Sequence, residues 1–312
     1  MIDVDAIARH YGGKVCKDNA LIPTPGHSRR DRGTAIKASA LAPDGVLVAC
    51  YNGTTADALL VKQMLQRDGF LCADNARSRE LTPSERRSIR QTELARQRAR
   101  QAAEEAAARG AAGLWGDASR ADPAHSYLVA KGLKPIGIRQ AGRDLLVPMV
   151  NHAFRLRNVQ RIRPDGFKLF LKDARTADLF WPHGVHLLDG RPSHCPLVIG
   201  EGFATMAAVH HATGYGVVAA MSARNLEAVA RTMRKLFPAR QIVIAADDDC
   251  HLVENIGLNA ASKAAQAIDG LLATPRPIAA QTRQADSGMD FADISSPEIA
   301  ARIAEAERDA HA

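Results

Sequence analysis

The residues best suited to chemistry in this sequence are acidic, and they follow two apolar runs. Pro196-Leu197-Val198-Ile199-Gly200 leads into Glu201-Gly202-Phe203, and Gln241-Ile242-Val243-Ile244-Ala245-Ala246 leads into Asp247-Asp248-Asp249. Carboxylates brought to one place repel each other, and at neutral pH a hard divalent cation relieves that repulsion. Mg²⁺ takes oxygen ligands and keeps waters and substrate phosphates in its shell. A site of that kind supports phosphoryl transfer, in which metal ions neutralise charge on the attacking and leaving oxygens. A simpler use of Asp248 or Asp249 is to cap the next helix, with Glu201 opening the helix after Gly200. One Asp is enough for a cap, so three in succession after a buried strand exceed that need.

The elements that must position these acids are legible around them. Both apolar runs are short and rich in β-branched residues, which is the pattern of buried parallel strands. Helical patterns over Thr205–Ala212 and Leu226–Phe237 lie between them, separated by a third strand, Gly216-Val217-Val218-Ala219-Ala220. This β-α-β-α-β order predicts an α/β domain with a parallel, Rossmann-like sheet and right-handed crossovers. Ligands of such sheets bind at the carboxyl ends of the strands, where Glu201 and Asp247–Asp249 fall. If the two acid-bearing strands are neighbours, the carboxylates converge.

Glu201-Gly202-Phe203-Ala204-Thr205, followed by a strand ending in Asp247-Asp248-Asp249, resembles a Toprim domain. That is the catalytic fold shared by bacterial-type primases, type IA and II topoisomerases and some nucleases. The resemblance covers about residues 195–295. It implies that Glu201, Asp247 and Asp249 bind Mg²⁺ (or Mn²⁺), with Asp248 in support. Gly257 and the Ala-rich helix after it fit the family's following segment. Asp290-Phe291-Ala292-Asp293 resembles an Asp-aromatic-Asn-Asp element that follows Toprim in plasmid and phage primase-like proteins, with Ala292 in place of the usual Asn.

The rest of the chain bounds the possibilities. Its 312 residues, 46% hydrophobic, are enough for two or three compact units. No run approaches the apolar length of a transmembrane helix, and the N-terminus lacks the basic and apolar regions of a signal peptide. Five dispersed cysteines without a Cys-x-x-Cys fit reduced thiols, so a cytoplasmic location is expected. The net charge of +7 is unevenly spread. Lys131–Arg175 carries eleven Lys and Arg against three acids, whereas Cys195–Ala312 carries ten against fourteen. A basic module that holds a polyanion beside an acidic one that holds metals is one reading, and a solvated basic surface is the other.

Residues 1–80 read as a short helix at Asp3–His10, strand-like pieces at Ala20–Ile22, Thr34–Lys37 and Val46–Cys50, and a helix over Asp57–Arg67. The order resembles the zinc ribbon of bacterial-type primases. In that family a Cys-x-x-His precedes a Cys-x-x-Cys, and here the positions hold Thr24-Pro25-Gly26-His27 and Cys50-Tyr51-Asn52-Gly53. Two of four ligands are missing, so no zinc is expected, although the basic turn His27–Arg32 can still touch phosphates. Residues 81–113 open with a capping box, Thr82-Pro83-Ser84-Glu85, and form a polar helical linker that Gly110 and Gly113 are expected to end. Its arginines are read first as a solvated face.

Residues 114–194 predict a basic α+β subdomain, with a helix closed by Gly132 and strands at Asp144–Val150, Leu156–Ile162 and Lys168–Leu171. Arg155, Arg157 and Arg161 fall on one face of the second strand, and Arg163, Lys168 and Lys172 follow. Arg offers phosphate a fixed donor fork. Val147–Asn151 and Asp165-Gly166-Phe167-Lys168 resemble the segments flanking the template groove of bacterial-type primases. The resemblance makes Lys168 the candidate for holding nucleotide or template, while Phe167 is open to base stacking or to core packing. Residues 195–295 are the part that resembles a Toprim domain, and 296–312 read as a charged C-terminal helix.

These readings converge on a metal-dependent nucleotidyltransferase of the DNA primase type, making primers from NTPs on single-stranded DNA in plasmid or phage replication. The sequence contains no P-loop motif, so a separate replicative helicase is the expected partner. The runner-up is a Toprim-type nuclease. A third reading is a catalytically weak nucleic-acid-binding accessory protein of a mobile element. No tyrosine has the setting of a topoisomerase nucleophile.

Overall fold

The computed structural model describes residues 2–39, 42, 44–71, 83–185, 195–249, 255–275 and 288–309. Thr82 of the expected capping box, Cys72 and Cys250 lie outside them. The chain forms two compact units, residues 1–96 and 97–312.

In the first unit, α1 (Val4–His10) is capped by Asp3, whose carboxylate accepts the amides of Asp5 and Ala6. Four antiparallel strands follow in sequential order: β1 (Lys14–Cys16), β2 (Asn19–Ile22), β3 (Thr34–Ala38) and β4 (Val46–Cys50). α2 (Thr55–Arg67) opens with a Thr54–Asp57 capping box. Ile7, Ile22, Ile36, Val46, Val61 and Leu65 form the core. The segments around Thr24 and Cys50 come together. A Cβ on Gly53 would stand 3.0 Å from Thr24 Cγ2 and 3.2 Å from Cys50 Cβ. Hydrogen bonds join these segments: Thr24 Oγ1 donates to Asn52 Oδ1 (2.6 Å), and Asn52 Nδ2 donates to Asp31 Oδ1 (2.8 Å). The amide of Thr24 and other donors hold the Asp31 carboxyl down to about 2.

α3 (Pro83–Asp117) runs from the first unit into the second. It does not stop at Gly110 or Gly113 as expected. Each glycine costs a helix about 1 kcal/mol, but Ala108 and Ala111 are buried on this stretch. Trp115 is tied down beyond it. Arg139 donates to its carbonyl at 2.6 Å and lies 4.8 Å from its ring centroid. Packing overrides the local signal.

The second unit contains two sheets. The first is antiparallel, in the order β5 (Ser119–Arg120), β6 (Arg139–Ala141), β7 (Asp144–Val150), β8 (Leu156–Ile162) and β9 (Lys168–Phe170), with α4 (Ser126–Ala130) between β5 and β6 in the chain. The second sheet starts with β10 (Trp181–His183) and continues through β11 (Leu197–Gly200), α5 (Phe203–Thr213), β12 (Gly216–Ala219), α6 (Ala223–Leu236), β13 (Ile242–Ala245), α7 (Ile256–Gln266) and β14 (Leu271–Ala273). A short 3-10 turn, Phe291–Asp293, leads into α8 (Ser296–Asp309).

The strand order of the second sheet is β10-β12-β11-β13-β14. β11 pairs with β12 and β13, and β13 with β14, all parallel, so the expected α/β architecture holds. Gly200 sits opposite Ala245. The two sheets of the second unit are joined across residue 194. β10 joins the second sheet, antiparallel to β12. Leu128, Leu145 and Met149 from the first sheet's side share one core with Phe203, Met206 and Val243. α6 and α7 cover the other face over Leu197, Ile199, Ile244 and Ala246.

Candidate active site

β11 and β13 end level with each other, so Glu201 and Asp247 emerge at the same sheet edge. They line a pocket of about 470 Å³ together with Tyr127, Lys131, Lys168 and Asp290. Asp290 arrives from the loop before α8. Its backbone is fixed by a reciprocal cap: the Asp290 carboxylate accepts the Ala292 amide, and the Asp293 carboxylate accepts the Asp290 amide. Asp293 also holds the Lys131 ammonium at 2.9 Å. Lys168 on β9 places its ammonium 6.0 Å from the centroid of Tyr127.

Electrostatics follow from this crowding. Burial raises the Asp247 carboxyl to about 8, with Asp290, Glu201 and Asp249 pushing the same way and Lys168 opposing. Burial also raises Glu201, helped by Asp249, and raises Asp290, helped by Asp293. Three carboxylates that hold protons too tightly and share one pocket mark a functional-site candidate.

A hard cation suits this donor set. All the acidic groups offer oxygen, and Asp247 Oδ1 is buried with no hydrogen-bond partner. Among the described residues no three acidic, histidine or cysteine groups stand as a closed shell. Mg²⁺ does not require one, because it commonly takes one or two carboxylates and completes its shell with waters and substrate phosphates.

The neighbouring acids of the Asp247–Asp249 run are spent differently. Asp248 is buried, accepts from Asn255 Nδ2 at 2.7 Å, and its backbone bridges to Met289. It does not line the pocket, and its carboxylate is held by Asn255. Asp249 accepts the Gly257 amide at 2.9 Å at the start of α7, while still acting on Glu201 and Asp247. The cap considered for this run is therefore real, but Asn255 and Asp249 provide it. Gly257 is required here, since a Cβ would stand 2.5 Å from the Asp247 carbonyl oxygen.

The basic residues also divide. Lys168 reaches the pocket. Arg157 forks onto Glu105 of α3, and Arg161 binds Asp144 through Nε (3.0 Å) and Nη2 (2.6 Å). Two members of the expected row of guanidinium groups are thus paired with acids on adjacent elements. Arg155 and Lys172 are exposed, and Arg163 lies 5.2 Å from the centroid of exposed Phe167. Phe167 is therefore not a core residue. Sequence reasoning noted the element containing Asp290 without giving it a ligand role, and missed Lys131, Tyr127 and Thr205 in the same pocket.

Residues 196–300 match the family model of the Toprim domain. The chain carries a Toprim domain. Two Escherichia coli proteins, each named DNA primase TraC, are 38% and 37% identical to it over 151 residues. The matched part is 46% of this chain but only 10% and 14% of those much longer proteins. Among solved structures, the primase fragment of the bacteriophage T7 primase-helicase protein is 16% identical with a TM-score of 0.42, covering 62% of this chain and 77% of that one. The Aquifex aeolicus primase, with its zinc-binding and RNA polymerase domains, is 11% identical with a TM-score of 0.42, covering 99% and 83%.

Proposed function

We propose that this chain is a DNA primase-type nucleotidyltransferase that builds primers from nucleoside triphosphates on single-stranded DNA. The observation that carries the reading is one pocket of its Toprim domain holding Glu201, Asp247 and Asp290 beside Lys131 and Lys168. Likeness to proteins named DNA primase supports it. Glu201, Asp247 and Asp290 are the groups that would hold Mg²⁺ or Mn²⁺, with Asp249 behind them. Such an ion, when bound, makes the primer hydroxyl a better nucleophile and neutralises the departing pyrophosphate. The chain's own residues do the rest. Asp247 keeps its carboxyl protonated until a cation competes for it. Lys168 offsets the acidic charge and faces the triphosphate, and Asp293 orients Lys131 and Asp290 together. Exposed Phe167 and Arg163 offer a stacking and cationic edge to a single strand. No helix among the described residues is long and apolar enough to cross a membrane. The setting we propose is cytoplasmic plasmid or phage replication with a separate helicase.

The test is primer synthesis on single-stranded DNA with labelled NTPs and Mg²⁺ or Mn²⁺. Glu201→Gln, Asp247→Asn and Asp290→Asn should each cut synthesis by about 100-fold or more, since even residues behind a metal ligand are worth 10–100-fold. Wild-type protein that cuts the strand without NTPs, and makes no primer, would replace this reading with the nuclease.

A further inference from the structure

The pocket carries a second set of groups of opposite polarity to the carboxylates. α5 begins at Phe203 with Gly202 as its N-cap, and no side chain caps it. The first amides of a helix have no intrahelical acceptor, and the helix dipole makes that end positive. Gly202, Ala204 and Thr205 of this turn line the pocket. Thr205 is 2% exposed, and its hydroxyl has no hydrogen-bond partner among the described residues. It lies over the turn, 3.7 Å from where a Cβ on Gly202 would stand. Thr205 lines the pocket, where a ligand oxygen would pair with its hydroxyl. Lys131 and Lys168 line the same space.

A cation is repelled by this turn, while an anion is offered amides, a hydroxyl and two ammonium groups. We propose that the first turn of α5, with Thr205, Lys131 and Lys168, is a phosphate subsite beside the carboxylates. The pocket is then bipolar and suited to a metal–phosphate pair. The inference rests on the nucleotidyltransferase reading for its source of phosphate, which is either the triphosphate of an incoming nucleotide or a phosphodiester of the strand.

Two substitutions test it. Gly202→Asn puts a neutral capping side chain onto the free amides. The backbone there (φ −105°, ψ 155°) suits any residue, and the new Cβ has room, so the helix should be no less stable. Thr205→Val removes only the hydroxyl, and Thr205→Ser restores it. Calorimetric titration of the full chain would use inorganic tripolyphosphate in one arm and a single-stranded oligonucleotide without terminal phosphates in the other, each with and without Mg²⁺. We expect tripolyphosphate affinity to fall about tenfold or more in Gly202→Asn and Thr205→Val, with Thr205→Ser near wild type and melting temperatures retained. Loss confined to the oligonucleotide arm would also support the subsite and make the strand its source. Folded variants that move neither affinity, or a wild type that binds neither probe, would overturn it. Primer synthesis by the wild type is scored separately. Tripolyphosphate losses without any primer leave the subsite standing and remove the primase reading. Primers with unmoved affinities do the reverse.

Discussion

Asp247 concentrates the conflict in the site. Its carboxyl sits near 8 in the fold against an ordinary value of 3.8, so the folded state binds a proton that the unfolded chain releases. That contribution is fully present below about pH 4 and is lost as pH rises through about 8. In EDTA, the melting temperature of wild type should therefore fall relative to Asp247→Asn between about pH 5 and about pH 9, and Mg²⁺ should restore the wild type alone. Equal pH profiles would rule out this role for the carboxyl. Asp248 makes the contrast. Asp248→Asn should reduce stability by about 1–3 kcal/mol through its buried hydrogen bonds while leaving Mg²⁺ affinity unchanged, as read by thermal denaturation and metal titration. Glu201 and Asp247 were legible in the sequence because each directly follows a short buried strand. Asp290 was legible as a motif but not as a pocket residue, because its approach depends on a loop far along the chain. Lys131 and Tyr127 left no signal, since ordinary helix residues become pocket walls only through tertiary packing.

The elements were read well where periodicity was strong. Strands β11, β12 and β13 and the helices α5 and α6 between them lie where their patterns put them, to within a few residues, whereas β10 and β14 were not read from the sequence. What failed was tertiary in origin. The glycines of α3 do not end the helix, because buried alanines and the Arg139–Trp115 contact hold it. The arginines of β8 meet acids that no local pattern reveals. This sorting has a measurable consequence for the first sheet. Lys168→Ala should lower the salt slope of DNA binding by about one unit, whereas Arg157→Ala and Arg161→Ala should leave it almost unchanged, because their charges are already matched by Glu105 and Asp144. At the start of α7, Gly257→Ala would drive a methyl group into the Asp247 carbonyl. A loss of about 1–3 kcal/mol in stability is expected, together with weaker Mg²⁺ binding. Unchanged metal affinity would mean that the acidic turn adapts freely.

For the whole molecule, composition gave a basic stretch followed by an acidic one. Within residues 97–312 the two sheets share side chains in one interior. The small strand β10 carries the consequence. Trp181, Pro182 and His183 register against Ala219, Val218 and Val217 and form the border of the second sheet. A fragment cut at residue 196, where the family match begins, would leave β12 as a bare, apolar border with unpaired amides and carbonyls, a template for association between copies. Such a fragment should elute as soluble aggregate in size-exclusion chromatography, while residues 97–312 should remain monodisperse. The Toprim-matched part of this chain is therefore not a portable cassette. Its working seam runs through Leu179–His183, and any recombination that exchanges this domain between chains must carry that strand with it.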